Sequence, residues 1–498
     1  MTPDTADAAL EDRNGAVVAE EPASSRLTAA IHPVIYEINT WPWLAQLSNS
    51  AGGPVDLCTV PGFIWDDLAA LGVDAVWLMG VWQRSPAGID IALTNAELTA
   101  SFSAALPDWG PEDVVGSPYC VRDYLVADRL GGPAGLAEAR KALAERGIGL
   151  ILDFVPNHVA PDHPWVANRP ELFVTGTADD LERDPASFIR AGDLVLANGR
   201  DPYFAAWPDV VQLNAFAAAL RDAVVETLTS IADQCDGVRC DMAMLMMNQV
   251  FASTWGDRVG PTPIEDYWPT VIPAVRSTHP DFLFIAEAYW DLEWSLQQQG
   301  FDFCYDKRLY DRLEHGAVEQ VRGDLTGAEG YQQHLVRFIE NHDEPRAAAA
   351  FGDRSRVAAV AGLTLSGARL IHHGQLAGCR TRLPVFLARY PDEPTDPVLA
   401  DFYQALMAAL ADPTFHRGRW RLAGCSGWPG SAAENLVAWC WEGDSRWLVV
   451  VNLGPESAAG RVRFPLDGLP ERQWRLRDPT HGVFFDRSGQ ELVEGLYV

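Results

Sequence analysis

The sequence has few of the features that mark a secreted or membrane-bound protein. Its eight cysteines are scattered without a CxxC pair, so we expect reduced thiols and a cytoplasmic location instead of a disulfide framework. Residues 1–30 lack a basic start followed by an apolar stretch, and we interpret them as a disordered acidic tail, not a signal peptide. No run of about 18 apolar residues occurs, which argues against a membrane span.

Basic residues are also scarce, since 38 Lys and Arg stand against 68 Asp and Glu, for a formal net charge of −30. Such a surface repels phosphate backbones and anionic lipids, so we expect no nucleic-acid or membrane partner. Apolar residues make up 48% of the chain and charged residues 21%, proportions typical of a folded globular protein. The oligomeric state stays open.

Eight short runs rich in Val, Ile and Leu alternate with helical stretches between residues 31 and 390. Continuous apolar strands between helices are typical of a parallel sheet covered on both faces, and eight such units close a barrel. We therefore predict an α/β fold with a (β/α)8 TIM barrel. The predicted strands are Val34–Ile38, Ala75–Leu78, Gly149–Phe154, Gly237–Asp241, Phe282–Glu287, Phe301–Tyr305, Leu335–Ile339 and Arg369–His372.

Two regions fall outside this alternation. Residues 159–208 are rich in Pro, Asp, Gly and aromatics, and a loop of that length is expected to be functional. We interpret them as a subdomain inserted after strand 3. Residues 391–498 contain short apolar segments separated by turn signals, which predict a C-terminal all-β domain.

Carboxylates lie at or just after the carboxyl ends of four of the predicted strands, where TIM barrels carry their functional groups. They are Asp153, Asp241, Glu287 and Asp343. One carboxylate at a strand end is commonly structural, but four that converge on one mouth are hard to explain structurally. Arg239 lies two residues before Asp241, on the same side of the strand, where its guanidinium favours an ionised carboxylate.

Glu287 follows the apolar stretch 282–286, and apolar surroundings favour a protonated carboxyl group. An ionised and a protonated carboxyl group on either side of a glycosidic bond are what glycoside cleavage requires. Asp241 and Glu287 are therefore the candidate pair for that chemistry.

Six segments together resemble the α-amylase superfamily, glycoside hydrolase family 13, over nearly the whole chain after about residue 30. Their order and spacing match the family's conserved regions. They are SPYCVRDY (117–124), DFVPNH (153–158), VVQLN (210–214), GVRCD (237–241), IAEAYW (285–290) and ENHDE (340–344).

The resemblance implies a role for each matching catalytic residue. Asp241 matches the nucleophile that forms a covalent glycosyl-enzyme, and Glu287 matches the general acid/base. Asp343 matches the third carboxylate, which grips sugar hydroxyls, and Arg239 matches the arginine that orients the nucleophile. The resemblance also implies retention of the α configuration at the anomeric carbon.

Further residues are expected to bind substrate. Tyr119 matches the ring on which the sugar stacks, Asp123 follows it by four residues, and His158 and His342 match histidines that hydrogen-bond the sugar. Trp290 follows the fifth strand, where its ring face could stack on a sugar.

The sequence departs from the family after the nucleophile. Members that cleave polysaccharides carry Lys-His there, which contribute to acceptor binding and to a calcium site, whereas this chain has a methionine-rich run, 242–247. We therefore expect no metal and no cofactor, and a small α-glucoside as substrate instead of starch. The methionines either line the pocket or are ordinary core.

Three alternatives remain. A metal-dependent barrel hydrolase would need a tighter His ligand cluster than His158 and His342 form in sequence. A non-catalytic, carbohydrate-binding member of the family would be expected to lack a carboxylate that this chain keeps. A transglycosidase or phosphorylase would use the same nucleophile and acid/base with another acceptor.

Overall fold

The computed structural model describes residues 30–466, 468–479 and 482–498, so 1–29 of the expected acidic tail lie outside the described residues. Eight parallel strands close a barrel in sequence order, with the eighth beside the first. This confirms the TIM barrel. The strands are β1 Val34–Asn39, β2 Ala75–Met79, β3 Gly149–Phe154, β4 Gly237–Cys240, β5 Leu283–Ala286, β6 Phe303–Tyr305, β7 Leu335–Arg337 and β8 Ala368–His372.

Helices cover the barrel and bury the face that their apolar spacing predicts. In the helix Ala218–Ala232, Leu220, Val224, Leu228 and Ile231 are all buried against the sheet layer. The other α-helices of the barrel and its connections are Thr40–Ala51, Gly62–Ala70, Gly132–Ala144, Asn248–Trp255, Tyr267–Arg276, Glu293–Gln298, Lys307–His315, Val318–Asp324, Glu329–Gln332, Ala347–Ala350, Ser355–Leu363, Pro397–Leu410 and Pro413–Arg417.

The predicted insertion after strand 3 is present. It contains the helices Pro164–Asn168 and Ala178–Arg183 and the antiparallel hairpin Phe188–Ala191 with Leu194–Ala197. The short strand His158–Val159 pairs with Val211–Gln212 and ties the insertion back to the barrel.

A second excursion, which the sequence did not lead us to expect, comes after β2. Strand Trp82–Arg84 pairs with Val121–Val126, and the helices Pro86–Thr94 and Ala96–Ala105 lie between them. Its helices bury apolar residues such as Ala92 and Phe102, as the barrel helices do, so the apolar pattern alone does not distinguish them from barrel helices.

The C-terminal domain is built from antiparallel strands. They are β9 Arg419–Ser426, β10 Leu436–Glu442, β11 Arg446–Asn452, β12 Arg461–Arg463, β13 Gln473–Asp478, β14 Val483–Ser488 and β15 Leu496–Tyr497. Five of them form a sheet in the order β11-β10-β9-β12-β15, accompanied by the hairpin β13-β14 and the helix Gly489–Glu494. Trp439 and Trp441 of this sheet each donate an indole hydrogen bond to the Thr364 carbonyl, at 2.9 and 2.7 Å, which fastens the sheet to the barrel.

Within the described ranges, no helix has both the length and the apolar character needed to cross a membrane. The eight cysteines all lie in these ranges, and none forms a disulfide.

Candidate active site

Strand register places Asp241 and Glu287 side by side at the carboxyl end of the barrel. Cys240 in β4 pairs with Ala286 in β5, so the next residue of each strand lies at the same level. The Asp241 N–H donates to the Phe154 carbonyl at 2.8 Å and the Glu287 N–H to the Cys240 carbonyl at 3.1 Å. The backbone of both residues therefore continues the sheet pairing by one residue. Their carboxyl groups lie at the mouth of the barrel.

A single buried guanidinium holds both groups. Nη1 of Arg239 donates to Oδ1 of Asp241 at 2.8 Å, and Nη2 lies 2.8 Å from Oε2 of Glu287. Arg239 is 1% exposed and lies over the rings of Trp77 and Tyr119. A guanidinium that is both ion-paired and packed on rings has little freedom to move, so it fixes the separation of the two carboxyl groups.

Glu287 is surrounded by donors but deeply buried. The Met242 N–H donates to Oε2 at 2.6 Å and the Tyr289 hydroxyl to Oε1 at 2.9 Å. Burial, opposed by Arg239 and assisted by the charges of Asp241 and Asp343, raises the pKa of Glu287 to about 7. The protonated form is therefore well populated near neutral pH, as the apolar surroundings in the sequence predict.

The pKa of Asp241 is set by burial as well as by its arginine. Burial raises the pKa of Asp241 even though the charge and the hydrogen bond of Arg239 lower it. The side chain is 7% exposed, so the loss of water outweighs the effect of one guanidinium that is shared with Glu287.

Strained backbone is concentrated beside these carboxyl groups. Four described non-glycine residues have positive φ, and three of them are Met242 at 42°, Trp290 at 61° and Asp291 at 62°. The left-handed conformation of Met242 directs its N–H at Glu287, and Arg308 holds Asp291 by an ion pair. Such conformations persist where the surrounding structure imposes them, which is common at functional sites.

The third carboxylate faces the opening. The Asp343 side chain is 41% exposed, against 7% for Asp241 and 4% for Glu287, so it is the one most open to a ligand. Its Oδ2 lies 2.9 Å from Nε2 of His342 and 3.9 Å from Nη2 of Arg239. Desolvation of the Asp343 carboxyl group opposes its ionisation, but the charge of His342 outweighs this and lowers the pKa of Asp343 to about 2.

His342 lies between the carboxylates of Glu37 and Asp343. Its Nδ1 is 2.5 Å from Oε1 of Glu37, and its Nε2, which faces Asp343, is also 2.6 Å from the Tyr119 hydroxyl. Burial disfavours the charged ring, yet Asp343 and Glu37 raise the pKa of His342 to about 10. The ring is therefore an imidazolium at neutral pH.

The other predicted histidine is in a different electrostatic state. His158 is buried against Trp207, with ring centroids 5.1 Å apart, and burial lowers its pKa to about 3. The ring is therefore neutral at neutral pH, and its Nδ1 has a partner in the Asn157 side-chain amide, whose Nδ2 lies 3.3 Å away.

Two predicted substrate-binding residues lie farther from the carboxyl groups. Trp290 packs edge-on against Tyr203 of the insertion, with ring centroids 4.8 Å apart. It lines a cleft of about 440 Å³ together with Lys307. Asp123 is half-buried opposite Gln83, and among the described residues no hydrogen bond or ion pair joins it to the site. Its role stays a prediction.

Glu37 and Tyr289 contact the site but were missed in the sequence. Glu37 is the one charged residue in the apolar strand β1, and the rule that singled out the other strand ends, a polar group on an apolar strand, applies to it equally. Tyr289 lies two residues after Glu287, so its side chain projects to the same side, as the sequence spacing could have suggested.

Of the methionine-rich run, Met244 and Met246 are fully buried and only Met242 is half-buried beside the carboxyl groups. The run is therefore core with one residue at the site. In the described part of the chain, no group of three or more His, Cys, Asp or Glu side chains is arranged to hold a metal ion.

No protein-family model matches the chain, but curated proteins do. Alpha-amylase MalA of Haloarcula japonica is 25% identical over 382 residues, which are 75% of this chain and 48% of that protein. Alpha-glucosidase of Candida albicans is 24% identical over 414 residues, 69% of this chain and 65% of that protein. Alpha-1,4-glucan:maltose-1-phosphate maltosyltransferase of Rhodospirillum rubrum is 27% identical over 311 residues, 58% of this chain and 37% of that protein. The chain thus spans less than two thirds of each.

Among solved structures, the noncanonic maltogenic alpha-amylase AmyB of Thermotoga neapolitana matches with a TM-score of 0.63 and 19% identity over 93% of this chain and 94% of that one. This likeness shows the shared fold. In sequence, the chain is similar to proteins named alpha-amylase and alpha-glucosidase, which agrees with its resemblance to the α-amylase superfamily, glycoside hydrolase family 13.

Proposed function

We propose that the protein is a retaining glycoside hydrolase that cleaves α-glucosidic bonds of small α-glucosides or short oligosaccharides. The observation that carries this proposal is the pair of carboxyl groups, Asp241 and Glu287, held on the two terminal nitrogens of Arg239 at the barrel mouth. Adjacent carboxyl groups of unequal protonation suit a nucleophile and a general acid.

In the first step, Asp241 Oδ attacks the anomeric carbon while Glu287 protonates the departing glycosidic oxygen. The bond to the leaving group breaks as the ester bond to Asp241 forms. The Met242 N–H and the Tyr289 hydroxyl then stabilise the carboxylate that Glu287 becomes.

In the second step, Glu287 accepts a proton from water, which attacks the anomeric carbon and releases Asp241. Asp343, with the charge of His342 beside it, is suited to accept hydrogen bonds from sugar hydroxyls throughout. Two displacements at one carbon retain the α configuration.

A small substrate is favoured by the residues directly after the nucleophile. Half-buried Met242 is bonded to Asp241, and the Lys-His pair of polysaccharide-cleaving relatives is absent from the sequence there. An apolar side chain at this position offers no hydrogen bonds to an extended glucan. A cytoplasmic location is compatible with eight unpaired cysteines.

Transfer to a sugar or to phosphate is the second candidate, because one matched relative is named a maltosyltransferase. The covalent intermediate is common to both reactions, and only the acceptor differs.

Product analysis on a panel of α-glucosides, with and without phosphate, tests both candidates. We expect free glucose from disaccharides or glucosylated small molecules, independent of phosphate. Glucose 1-phosphate or longer oligosaccharides would indicate transfer, and activity mainly on soluble starch would contradict the small-substrate proposal. Sugar binding without any turnover would instead support the non-catalytic alternative.

A further inference from the structure

Glu37, a carboxylate on the first barrel strand, contacts the His342 ring on the side facing the barrel interior. Glu37 lies in β1 between His372 of β8 and Trp77 of β2, and its side chain is fully buried. Its Oε1 is 2.5 Å from Nδ1 of His342 and 3.4 Å from the His342 backbone nitrogen. One carboxylate oxygen therefore fixes both the ring and the backbone of the histidine.

The second ring nitrogen also meets a carboxylate. Nε2 of His342 is 2.9 Å from Oδ2 of Asp343 and 2.6 Å from the Tyr119 hydroxyl. Ionised carboxylates only accept hydrogen bonds, so both ring nitrogens must carry protons to satisfy Glu37 and Asp343. A doubly protonated ring has no acceptor, so the Tyr119 oxygen accepts from Nε2 and its own proton is left for another acceptor.

We propose that Glu37 is a positioning residue of the active site, which holds His342 as a doubly protonated donor directed at Asp343 and the Tyr119 hydroxyl. The effect of Glu37 on catalysis rests on the proposed function. Its effect on the protonation of the His342 ring does not rest on that function and can be tested separately.

The alternative is that Glu37 is only a buried strand residue with a convenient partner. Its other oxygen, Oε2, has no hydrogen-bond partner among the described residues, although it is fully buried. A buried carboxylate with one oxygen lacking a hydrogen bond destabilises the folded state unless a nearby positive charge compensates it. His342 supplies that charge and, despite burial, lowers the pKa of Glu37.

The charge on His342 depends on groups from several elements. Asp343 and Glu37 stabilise it, Asp153 of β3 lies near it, and His372 of β8 is held neutral by burial. The guanidinium groups of Arg239 and Arg382 act on Asp343, the partner of His342. Because Arg239 is already paired with Asp241 and Glu287, we expect Glu37 to be the residue whose removal changes the His342 charge most without touching substrate.

The state of the ring can be measured by nitrogen-15 NMR of labelled full-length protein, with the His342 signal identified by its loss in His342→Gln. In the unmodified protein we expect both ring nitrogens to remain protonated at pH 8. In Glu37→Gln, which keeps the shape but removes the charge, we expect the His342 pKa to fall by at least about one unit.

Glu340→Gln is the matched control. Glu340 is an equally buried barrel carboxylate, but it pairs with Arg346 and with Nδ1 of His372, not with His342. It should destabilise the fold to a similar degree and leave the His342 signals in place.

Kinetics provide the second readout. We expect Glu37→Gln to lower kcat/KM by about 10- to 100-fold, the scale for loss of a charge-assisted hydrogen bond, with a loss that grows as pH rises. In a His342→Gln background, Glu37→Gln should lower kcat/KM little further, because the histidine through which Glu37 acts is absent.

An ordinary His342 titration near pH 6.5 in the unmodified protein would overturn the proposal even if Glu37→Gln fails to fold. So would an unchanged His342 pKa in a folded Glu37→Gln variant. The expected His342 titration shifts in a protein without glycosidase activity would instead reject the proposed function and leave the positioning role standing.

Discussion

Two faces of the barrel mouth are built in different ways. In the strand-end cluster, Arg239, Asp241 and Glu287 lie on or directly after barrel strands, and His342 and Asp343 lie in the segment that follows β7. Ion pairs at 2.8 and 2.9 Å join the cluster. The loop face, Tyr203, Trp290 and Asp291, depends on the insertion and on strained backbone. Rigid strands suit chemistry that tolerates little displacement, whereas loops suit the choice of leaving group or acceptor.

This contrast leads to an expectation about variants. Changes in the strand-end cluster should lower turnover because they act on the bond-breaking step, and among them only the loss of the proton donor Glu287 should depend on the leaving group. Changes in the loop face should alter the ranking of substrates and leave turnover of the most reactive donors largely intact.

The largest effect is expected for Asp241→Asn. Removing the nucleophilic oxygen should lower kcat by about 10⁴-fold or more on all substrates, with an unchanged circular dichroism spectrum. Asp302→Asn is the matched control, since Asp302 also pairs with an arginine, Arg276, but just before β6, away from the mouth. Similar losses in the two variants would mean that Asp241 is structural.

Glu287→Gln should have a smaller and substrate-dependent effect. We expect a loss of about 10²–10⁴-fold on disaccharides but much less on aryl α-glucosides, whose leaving groups need no proton. Because the protonated form is required and the pKa is raised to about 7, kcat/KM should fall as pH rises through about 7. A variant that keeps this alkaline limb would show that another group is the acid.

The smallest effect is expected on the loop face. Trp290→Ala should raise KM for disaccharides by about 10-fold through loss of stacking, with little change for a glucosyl fluoride. Trp294→Ala is the control, because Trp294 is exposed nearby on the helix Glu293–Gln298 and packs on Tyr331 instead. If Trp290→Ala impaired the reaction equally with disaccharides and with the glucosyl fluoride, the distinction between the strand-end cluster and the loop face would be wrong.

The same contrast explains which parts of the molecule were predictable. The apolar runs and their carboxylate ends were sufficient for the eight strands, because strand pairing places successive strand ends at one rim. The Cys240–Ala286 register then brings Asp241 and Glu287 together without further information.

What the sequence could not supply were contacts between distant segments. Tyr203 meets Trp290 only through the path of the insertion, and Glu37 meets His342 across the closure of β1 on β8. The raised pKa of Asp241 was also unpredictable, because it depends on how completely the folded chain excludes water.

The central claim is that Asp241 and Glu287 act as nucleophile and acid/base on the same glycosidic bond. Trapping with an activated fluorinated α-glucosyl donor, followed by peptide mass spectrometry, tests it most directly. We predict one glycosyl adduct, on Asp241, that accumulates in the unmodified protein and is absent from Asp241→Asn. An adduct on another carboxylate, or complete turnover with no covalent intermediate, would contradict the account.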